Sequence, residues 1–375
     1  MRQPIHTVYG GAHLFRKDVC GKLGAIADRA MTEYAPDAAT MARVMGFSES
    51  LAEQVYARVR EKLRREPVEN FHIDFEDGFG VRSDAEEDAA ASAAAGQLAE
   101  GLATASLPAF LGIRVKAFND AWKARALRTL RIFLERAGRL PENFAVVLPK
   151  INAVEQVSAL ADALENFPGV PMELMVETPE AVLLGSRLVE AARGRCSAVH
   201  FGAYDYTASL GITASRQSLM HPACDFARSM MQLQLAGTGV WLVDGGTNVL
   251  PVGGRESVHR GWKMHFDGIR HALDAGFYQG WDLHPAQLVA RYAAVYSFFL
   301  EGLEAASVRL RNFVAQAARS TEVAGVFDDA ATGRGLVNYF LLGVNCGAIP
   351  EGEILGLTGM SMEQLASGGP GSFLP

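Results

Sequence analysis

Cysteine is scarce in this chain. Its four cysteines, Cys20, Cys196, Cys224 and Cys346, lie far apart in 375 residues and form no paired motif. That argues against a zinc or disulfide framework and fits a reducing compartment. A surplus of positive charge is also missing, because 35 basic side chains face 42 acidic ones and leave a net charge of -7. Nucleic acid is therefore not an expected partner, since a phosphate backbone demands a basic face. Small anions stay open, because they need only a few local cations. No apolar run approaches the length of a membrane span, and the opening stretch "MRQPIHTVYG" lacks the apolar core of a signal peptide. A cytoplasmic protein with no membrane partner is expected. There is no Walker-type phosphate loop and no repeat of solenoid type.

The composition is that of an ordinary globular chain, and its length suits one large domain with extensions, or two domains. Eight short β-rich apolar runs recur: 5–10, 70–75, 109–117, 144–150, 172–177, 197–205, 239–246 and 280–285. Stretches of helical period lie between them. "AEEDAAASAAAGQLAEGLA" is Ala-rich with acids in its first turn. "AWKARALRTLRIFLERAG" is amphipathic and ends at a glycine, and "NAVEQVSALADALENF" offers Asn152 as an N-cap. Eight near-continuous apolar strands alternating with helices predict an α/β fold, a (β/α)8 TIM barrel. The barrel is expected over residues 1–290, with a helical insertion of two or three helices at about 11–69. Residues 291–375 are expected to form a helical C-terminal extension and a frayed tail, and the apolar helix at 288–301 suggests a homo-oligomer.

In such barrels chemistry sits at the C-terminal ends of the strands. Here those ends carry Asp74, Glu76 and Asp77 on strand 2, Arg114 on strand 3 and Lys150 on strand 4. Strand 5 ends in Glu177, strand 6 in Asp205 after the small residues Gly202 and Ala203, strand 7 in Asp244 and strand 8 in His284. Six acids at four strand ends would repel one another in a partly desolvated mouth. A hard divalent cation relieves that repulsion: Mg²⁺, with Mn²⁺ as a substitute, takes one or two carboxylates plus water and substrate oxygens. Arg114 and Lys150 near the metal would bind an anionic substrate, and a guanidinium fork matches a carboxylate. Any single acid at a strand end is more often a cap or a solvated loop residue, and Asp74 and Asp77 can each be read as caps of the next helix. An arginine between Ile113 and Val115 is harder to dismiss, because burying it without an anion costs several kcal/mol.

"IDFEDG", "IRVKAFN", "VVLPKI", "MVETPEAV", "FGAYDYTASLG" and "GWDLHPAQ" occur in that order. Together they resemble the citrate lyase β-subunit-like group of the HpcH/HpaI aldolase superfamily, which includes malyl-CoA and citramalyl-CoA lyases, over roughly residues 5–345. The resemblance is nearest to an aldolase-like branch of unassigned substrate. It implies Glu177 and Asp205 as Mg²⁺ ligands, Arg114 as the grip on a 2-oxoacid or its enolate, and Glu76 with Asp77 as holders of metal-bound water. It also implies an acid/base from the C-terminal extension, for which Asp328 is the candidate, with a role as helix cap equally open. The first strand departs from the family's pattern: "VYGGAHLFRKD" leaves Arg16 and Lys17 as loose candidates for holding coenzyme A. The function expected is Mg²⁺-dependent carbon–carbon lyase or aldolase chemistry on a pyruvate- or glyoxylate-type 2-oxoacid. Gly202, Ala203, Lys150 and Arg114 would bind the substrate. The alternatives are a coenzyme A ester enzyme of malate synthase type, a phosphoenolpyruvate or phosphotransfer enzyme using the Gly-rich loop after strand 7, and a non-catalytic scaffold. His284 is read as a supporting residue.

Overall fold

Eight parallel strands wind in chain order: β1 (His6–Gly11), β2 (Asn70–Asp74), β3 (Phe110–Arg114), β4 (Phe144–Leu148), β5 (Met172–Val176), β6 (Cys196–Phe201), β7 (Trp241–Val243) and β8 (Gly280–Asp282). The computed structural model describes residues 2–317 and 330–367. The strands pair in the order β7-β6-β5-β4-β3-β2-β1-β8. A parallel bridge between Val243 and Gln279 closes the remaining seam, helped by the Asp244 N–H donating to the Gln279 carbonyl at 2.8 Å. The fold is thus the expected (β/α)8 barrel. Strands β2 to β5 are buried at every residue, because helices cover one face and the barrel interior fills the other, which explains their near-continuous apolar sequence.

Three helices occupy the N-terminal insertion: α1 (Val19–Tyr34), α2 (Ala38–Met45) and α3 (Ala52–Arg65). They lie against the outer layer, α2 on α10 (Arg255–Asp274) and α3 on α11 (Gln287–Ala317). Between strands run α4 (Asp84–Ala103), α5 (Lys123–Ala137), α6 (Val154–Ala163), α7 (Pro179–Ala191), α8 (Ala203–Ser209) and α9 (Pro222–Leu235). Helices α12 (Ala330–Asn345), α13 (Ile354–Thr358) and α14 (Met362–Ala366) complete the described chain. Helix α11 crosses residues 290 and 291 unbroken. Asp328 and the end of the tail "LASGGPGSFLP" lie outside the described residues. No helix among the described residues is long and apolar enough to cross a membrane.

Local chemistry sets the boundaries and corrects several expectations. Ser83, not Asp74 or Asp77, caps α4, in a capping box with Glu86. Ala153 rather than Asn152 is the N-cap of α6, and Gln156 reaches back to both of their N–H groups. Helix α5 ends as expected at Gly138, whose φ of 66° only glycine adopts readily. Strand β6 stops at Phe201, short of the expected 205, because the chain coils into α8 directly after Gly202; Asp205 therefore sits in the first turn of a helix.

The barrel interior is polar in its middle layer. His200 Nδ1 lies 3.0 Å from the indole nitrogen of Trp281. Indole only donates, so Nδ1 accepts, and His200 Nε2 carries the proton that it donates to Glu173 Oε2 at 2.8 Å. His72 Nε2 lies 3.3 Å from the same Glu173 oxygen, and the His72 and Tyr9 rings meet in a T-shaped contact at a centroid distance of 5.0 Å. On the other face of the sheet, between the strands and helices α10 and α11, Asp282 accepts from His6 Nδ1 at 2.7 Å and Arg291 Nε at 3.1 Å, and lies 2.6 Å from His265 Nε2. Sequence reading missed both clusters, because none of their histidines sits at the C-terminal end of a strand.

Burial pushes the His72 imidazolium down to about 4, although Glu173 pulls the other way. A buried neutral histidine leaves the unfolded chain binding more protons than the native one between its unfolded value and about 4. Stability should therefore fall as pH drops from about 6.5 to about 4 and lose nothing further from this group below that, a total of roughly 3 kcal/mol at most. Urea unfolding at pH 7.5, 5.5 and 4 will check this, with His72→Gln expected to flatten the profile; an unchanged slope in the variant would remove His72 as the cause.

Candidate active site

Two cavities open at opposite ends of the barrel. The one at the N-terminal ends of the strands, about 540 Å³, is bordered by Phe110, Asn143, Pro171, Cys196 and Trp241. The other, about 390 Å³, lies at the C-terminal ends and collects Asp74, Asp77, Arg114, Glu177, Gly202 and Asp205. The smaller one is the candidate site, because it gathers the charged groups at the strand ends where this fold does its chemistry. Tyr9, Trp281 and Leu283 give it apolar walls.

Arg114 is buried, and its anion is Asp74. The two residues are register partners at the ends of β3 and β2. Nε donates to Asp74 Oδ1 at 2.8 Å and Nη2 to Oδ2 at 2.5 Å, a bidentate fork. Nη1 is turned away from Asp74, 3.4 Å from Glu76 and 3.8 Å from the Met175 sulfur, and the guanidinium stacks over the Tyr9 ring at 4.6 Å. Asp74 thus has a definite role that its sequence position did not show.

Glu76 and Asp77 occupy the loop after β2, where Lys150 reaches both: its ammonium pairs with Glu76 and lies 2.9 Å from Asp77. Asp77 lines the cavity, whereas Glu76 and Lys150 stand behind it. The two acids are unequal. Burial pushes Glu76 up, while Asp77 is drawn down against its own burial by its bond with Glu76 and by Lys150. Lys150, raised despite burial by its two carboxylates, stays cationic, which disfavours an imine role. Its backbone is strained, with φ at 50°, and this aims its N–H at Glu177 Oε1, 2.5 Å away. Lys116, which sequence reading passed over, anchors the same loop by donating to the Phe75 carbonyl at 2.7 Å. Its signal was available in "IRVKAFN", a lysine two residues past Arg114.

Glu177 follows β5 and is buried; Asp205 faces it from the first turn of α8 and is exposed. Burial first, and the facing Asp205 second, push the Glu177 carboxyl up to about 8. No lysine or arginine side chain pairs with either residue among the described residues, and the Lys150 N–H is the one hydrogen bond to the Glu177 carboxylate. Gly202 makes room: a Cβ there would stand 2.6 Å from Glu177 Oε2. Among the described residues no group of three or more His, Cys, Asp or Glu side chains is arranged to hold a metal. Two facing oxygen donors without a cation still fit Mg²⁺, which takes one or two carboxylates and fills its shell with water and substrate.

Other expected contributors are placed elsewhere. Asp244 is not a free acid of the mouth, since Arg228 from α9 donates to both its oxygens at 3.0 and 3.2 Å. His284 Nδ1 accepts from the Ala286 N–H at 3.1 Å, a turn contact. Arg16 donates to the Phe15 carbonyl at 2.6 Å and Lys17 pairs with Glu100 at 3.3 Å; neither lines the cavity.

Residues 1–369 match the family model DUF6986, a domain of unknown function. The chain belongs to this family. No curated protein matches it. Among solved structures, this DUF6986 chain is similar to a citrate lyase from Burkholderia xenovorans LB400, at 18% identity over 98% of this chain and 96% of that one, with a TM-score of 0.61. It is also similar to the protein CitE from Mycobacterium tuberculosis in complex with magnesium, acetoacetate and coenzyme A, at 19% identity over 92% of this chain and 98% of that one, with a TM-score of 0.54. At such identities the likeness is one of fold.

The facing carboxylates yield a prediction about this DUF6986 chain that needs no substrate. A carboxyl whose folded value is raised destabilises the native state once it ionises, so the neutral isostere Glu177→Gln should unfold at a higher temperature than wild type in EDTA at pH 8.5. Added Mg²⁺ should raise the melting temperature of wild type and leave the variant unmoved. A variant less stable than wild type in EDTA, or one equally responsive to Mg²⁺, would contradict the pairing.

Proposed function

We propose that the chain is a divalent-metal-dependent carbon–carbon lyase or aldolase acting on a 2-oxoacid, related to the citrate lyase-like branch of the HpcH/HpaI superfamily. One observation carries this reading: two unneutralised carboxylates, Glu177 and Asp205, border the same 390 Å³ cavity as the buried Arg114. One end of the cavity calls for a cation and the other presents a fixed guanidinium. A 2-oxoacid has the matching polarity, with carbonyl and carboxylate oxygens for a metal and a carboxylate edge for arginine. Sequence motifs on the same strand ends, and folds of citrate lyase type over nearly the full chain, support it.

Glu177 and Asp205 would hold Mg²⁺ or Mn²⁺, which when bound supplies the Lewis acid that stabilises enolate charge. Arg114 would use Nη1, the nitrogen that Asp74 leaves alone, to orient the substrate carboxylate. Asp74 holds that guanidinium in one geometry, which limits the substrate to a narrow set of poses. In the cleavage direction a hydroxyl proton must leave as the carbon–carbon bond breaks, and a proton must then reach the enolate carbon. Glu76 and Asp77, pushed apart in proton affinity and joined by Lys150, form the group suited to take and return it. Tyr9 and Trp281 would shield the reacting carbon from water.

A free acid suits this chain better than a coenzyme A ester, because Arg16 is bonded to backbone carbonyls and Lys17 to Glu100. The Gly-rich loop after β7 has a packing reason for its glycines: a Cβ at Gly246 would stand 2.6 Å from the Trp281 carbonyl. No phosphate is needed to account for it.

The decisive experiment is a retro-aldol screen over 4-hydroxy-2-oxoacids and malyl-type coenzyme A esters, with pyruvate or glyoxylate release as the readout. Cleavage of at least one 4-hydroxy-2-oxoacid is expected, abolished by EDTA and restored by Mg²⁺, with Asp205→Asn lowering kcat by about 10²-fold or more. Full activity of Glu177→Gln after EDTA treatment would end the metal mechanism, and thiol release from acetyl-CoA with glyoxylate would favour the ester reading.

A further inference from the structure

Helix α3 carries five cations, and most of them are spoken for. Arg60 donates to Thr32 at 3.0 Å, Lys62 pairs with Glu66 and Glu69 at 2.6 and 2.5 Å, and Arg64 pairs with Glu61 at 2.7 Å. Arg58 and Arg65 form no ion pair among the described residues. Both border a cavity of about 490 Å³ between α3 and the turn that follows α12, together with Arg2, Tyr296, Asn345 and Gly347. Among the described residues Arg58 Nη1 is buried without a hydrogen-bond acceptor, and so is Arg2 Nε. The Tyr296 hydroxyl points to the same wall, 3.9 Å from where a Cβ of Gly347 would stand.

Guanidinium groups only donate, so a buried N–H without an acceptor beside a cavity is a donor that an entering anion can engage after a small rotation of the side chain. The nearby carboxylates do not supply an acceptor. Glu66 is held by both terminal nitrogens of Arg2, each at 2.9 Å, and by Lys62, while Glu69 accepts from Lys62 and from the Ile5 N–H at 3.0 Å. Glu351 and Glu61 border the cavity and Glu353 attracts Arg58 from nearby, but Glu61 is paired with Arg64 and none of the three forms an ion pair with Arg58 or Arg65 among the described residues.

We propose that this cavity binds a small oxyanion, a phosphate or carboxylate group, gripped by the Arg58 and Arg65 guanidinium groups with Arg2 Nε as a further donor. Arginine is the residue suited to such a role, because its planar fork matches either anion in bidentate fashion. The site lies on the barrel's flank, where α3 of the N-terminal insertion meets the chain after α12. An occupant would therefore tie the two additions to the barrel together. It stands apart from the lyase reading, since no residue is shared with the mouth cavity.

The test uses the full chain, titrated calorimetrically with sodium phosphate and separately with sodium malonate, each against sodium chloride of equal ionic strength, with thermal unfolding in parallel. Saturable binding of at least one anion is expected, with a rise in melting temperature that follows its occupancy. Phosphate alone would mark a phosphate-bearing ligand, malonate alone a carboxylate. Arg58→Gln should weaken binding at least tenfold and remove the melting shift, with Arg65→Gln doing the same to a lesser degree. Neither should lower the melting temperature in chloride appreciably, because neither Arg58 nor Arg65 has an ion pair to lose among the described residues. Absence of saturable binding beyond the chloride control, or undiminished binding by Arg58→Gln, would overturn the proposal.

Discussion

The candidate site depends on the carboxylate of Asp74. It sits at the end of β2 beside its register partner Arg114 and accepts four hydrogen bonds at once. Two come from the guanidinium, at 2.8 and 2.5 Å, and two from the N–H groups of Glu76 and Gly78, at 2.9 and 2.7 Å. The same group that neutralises the arginine therefore also folds the loop that carries Glu76 and Asp77. Gly78 is required by this closeness, since a Cβ there would stand 2.6 Å from Asp74 Oδ2. A buried charge pair need not stabilise a fold more than apolar side chains of similar volume would. Here its value is positional, because one carboxylate fixes an arginine and a loop in a single geometry.

The charges of the mouth divide into two unequal groups. On the β2–β4 side the cations Arg114 and Lys150 are matched to Asp74, Glu76 and Asp77 by direct contact. On the β5–β6 side Glu177 and Asp205 face each other with no lysine or arginine side chain paired to either among the described residues. Lys150 joins the halves, its ammonium on one and its backbone N–H on the other. Under the proposed function an anionic substrate would be drawn to Arg114 and a cation to Glu177, with the cavity setting their separation. The strained backbone of Lys150 is the local cost of making one residue serve both sides.

Much of this was legible in the sequence, for a definite reason. In a parallel barrel each strand is covered on both faces, so a charged residue at its C-terminal end is conspicuous against an apolar run. That contrast marked Arg114, Lys150, Glu177 and the acids after β2, and the count of eight apolar runs indicated the barrel. What stayed hidden depends on distance between segments. The anion demanded by Arg114 turned out to be Asp74, forty residues earlier, and only the β2–β3 register places them side by side. Asp244 looked like a member of the mouth, yet its partner Arg228 comes from the preceding helix, where nothing in the local pattern announces it. Strand 6 was read too long because "HFGAYD" has no polar break, although Gly202 packed on Glu177 ends it.

The interior beneath the mouth explains how such a site can be held still. The Tyr9 ring carries Arg114 on its face, and its hydroxyl lies 3.3 Å from His200 Nδ1. His200 in turn is fixed by Trp281 from β8 and Glu173 from β5. The platform under the guanidinium is therefore tied across the barrel to three other strands by hydrogen bonds, which have direction, rather than by apolar contacts alone, which tolerate sliding. Burying His72 and Glu173 in that layer costs stability that leucines or valines would not. The cost is understandable if the structure favours orientation over stability beneath the cavity: an arginine whose two bound nitrogens are locked by Asp74, and whose face is set by Tyr9, can present its remaining nitrogen in only one direction.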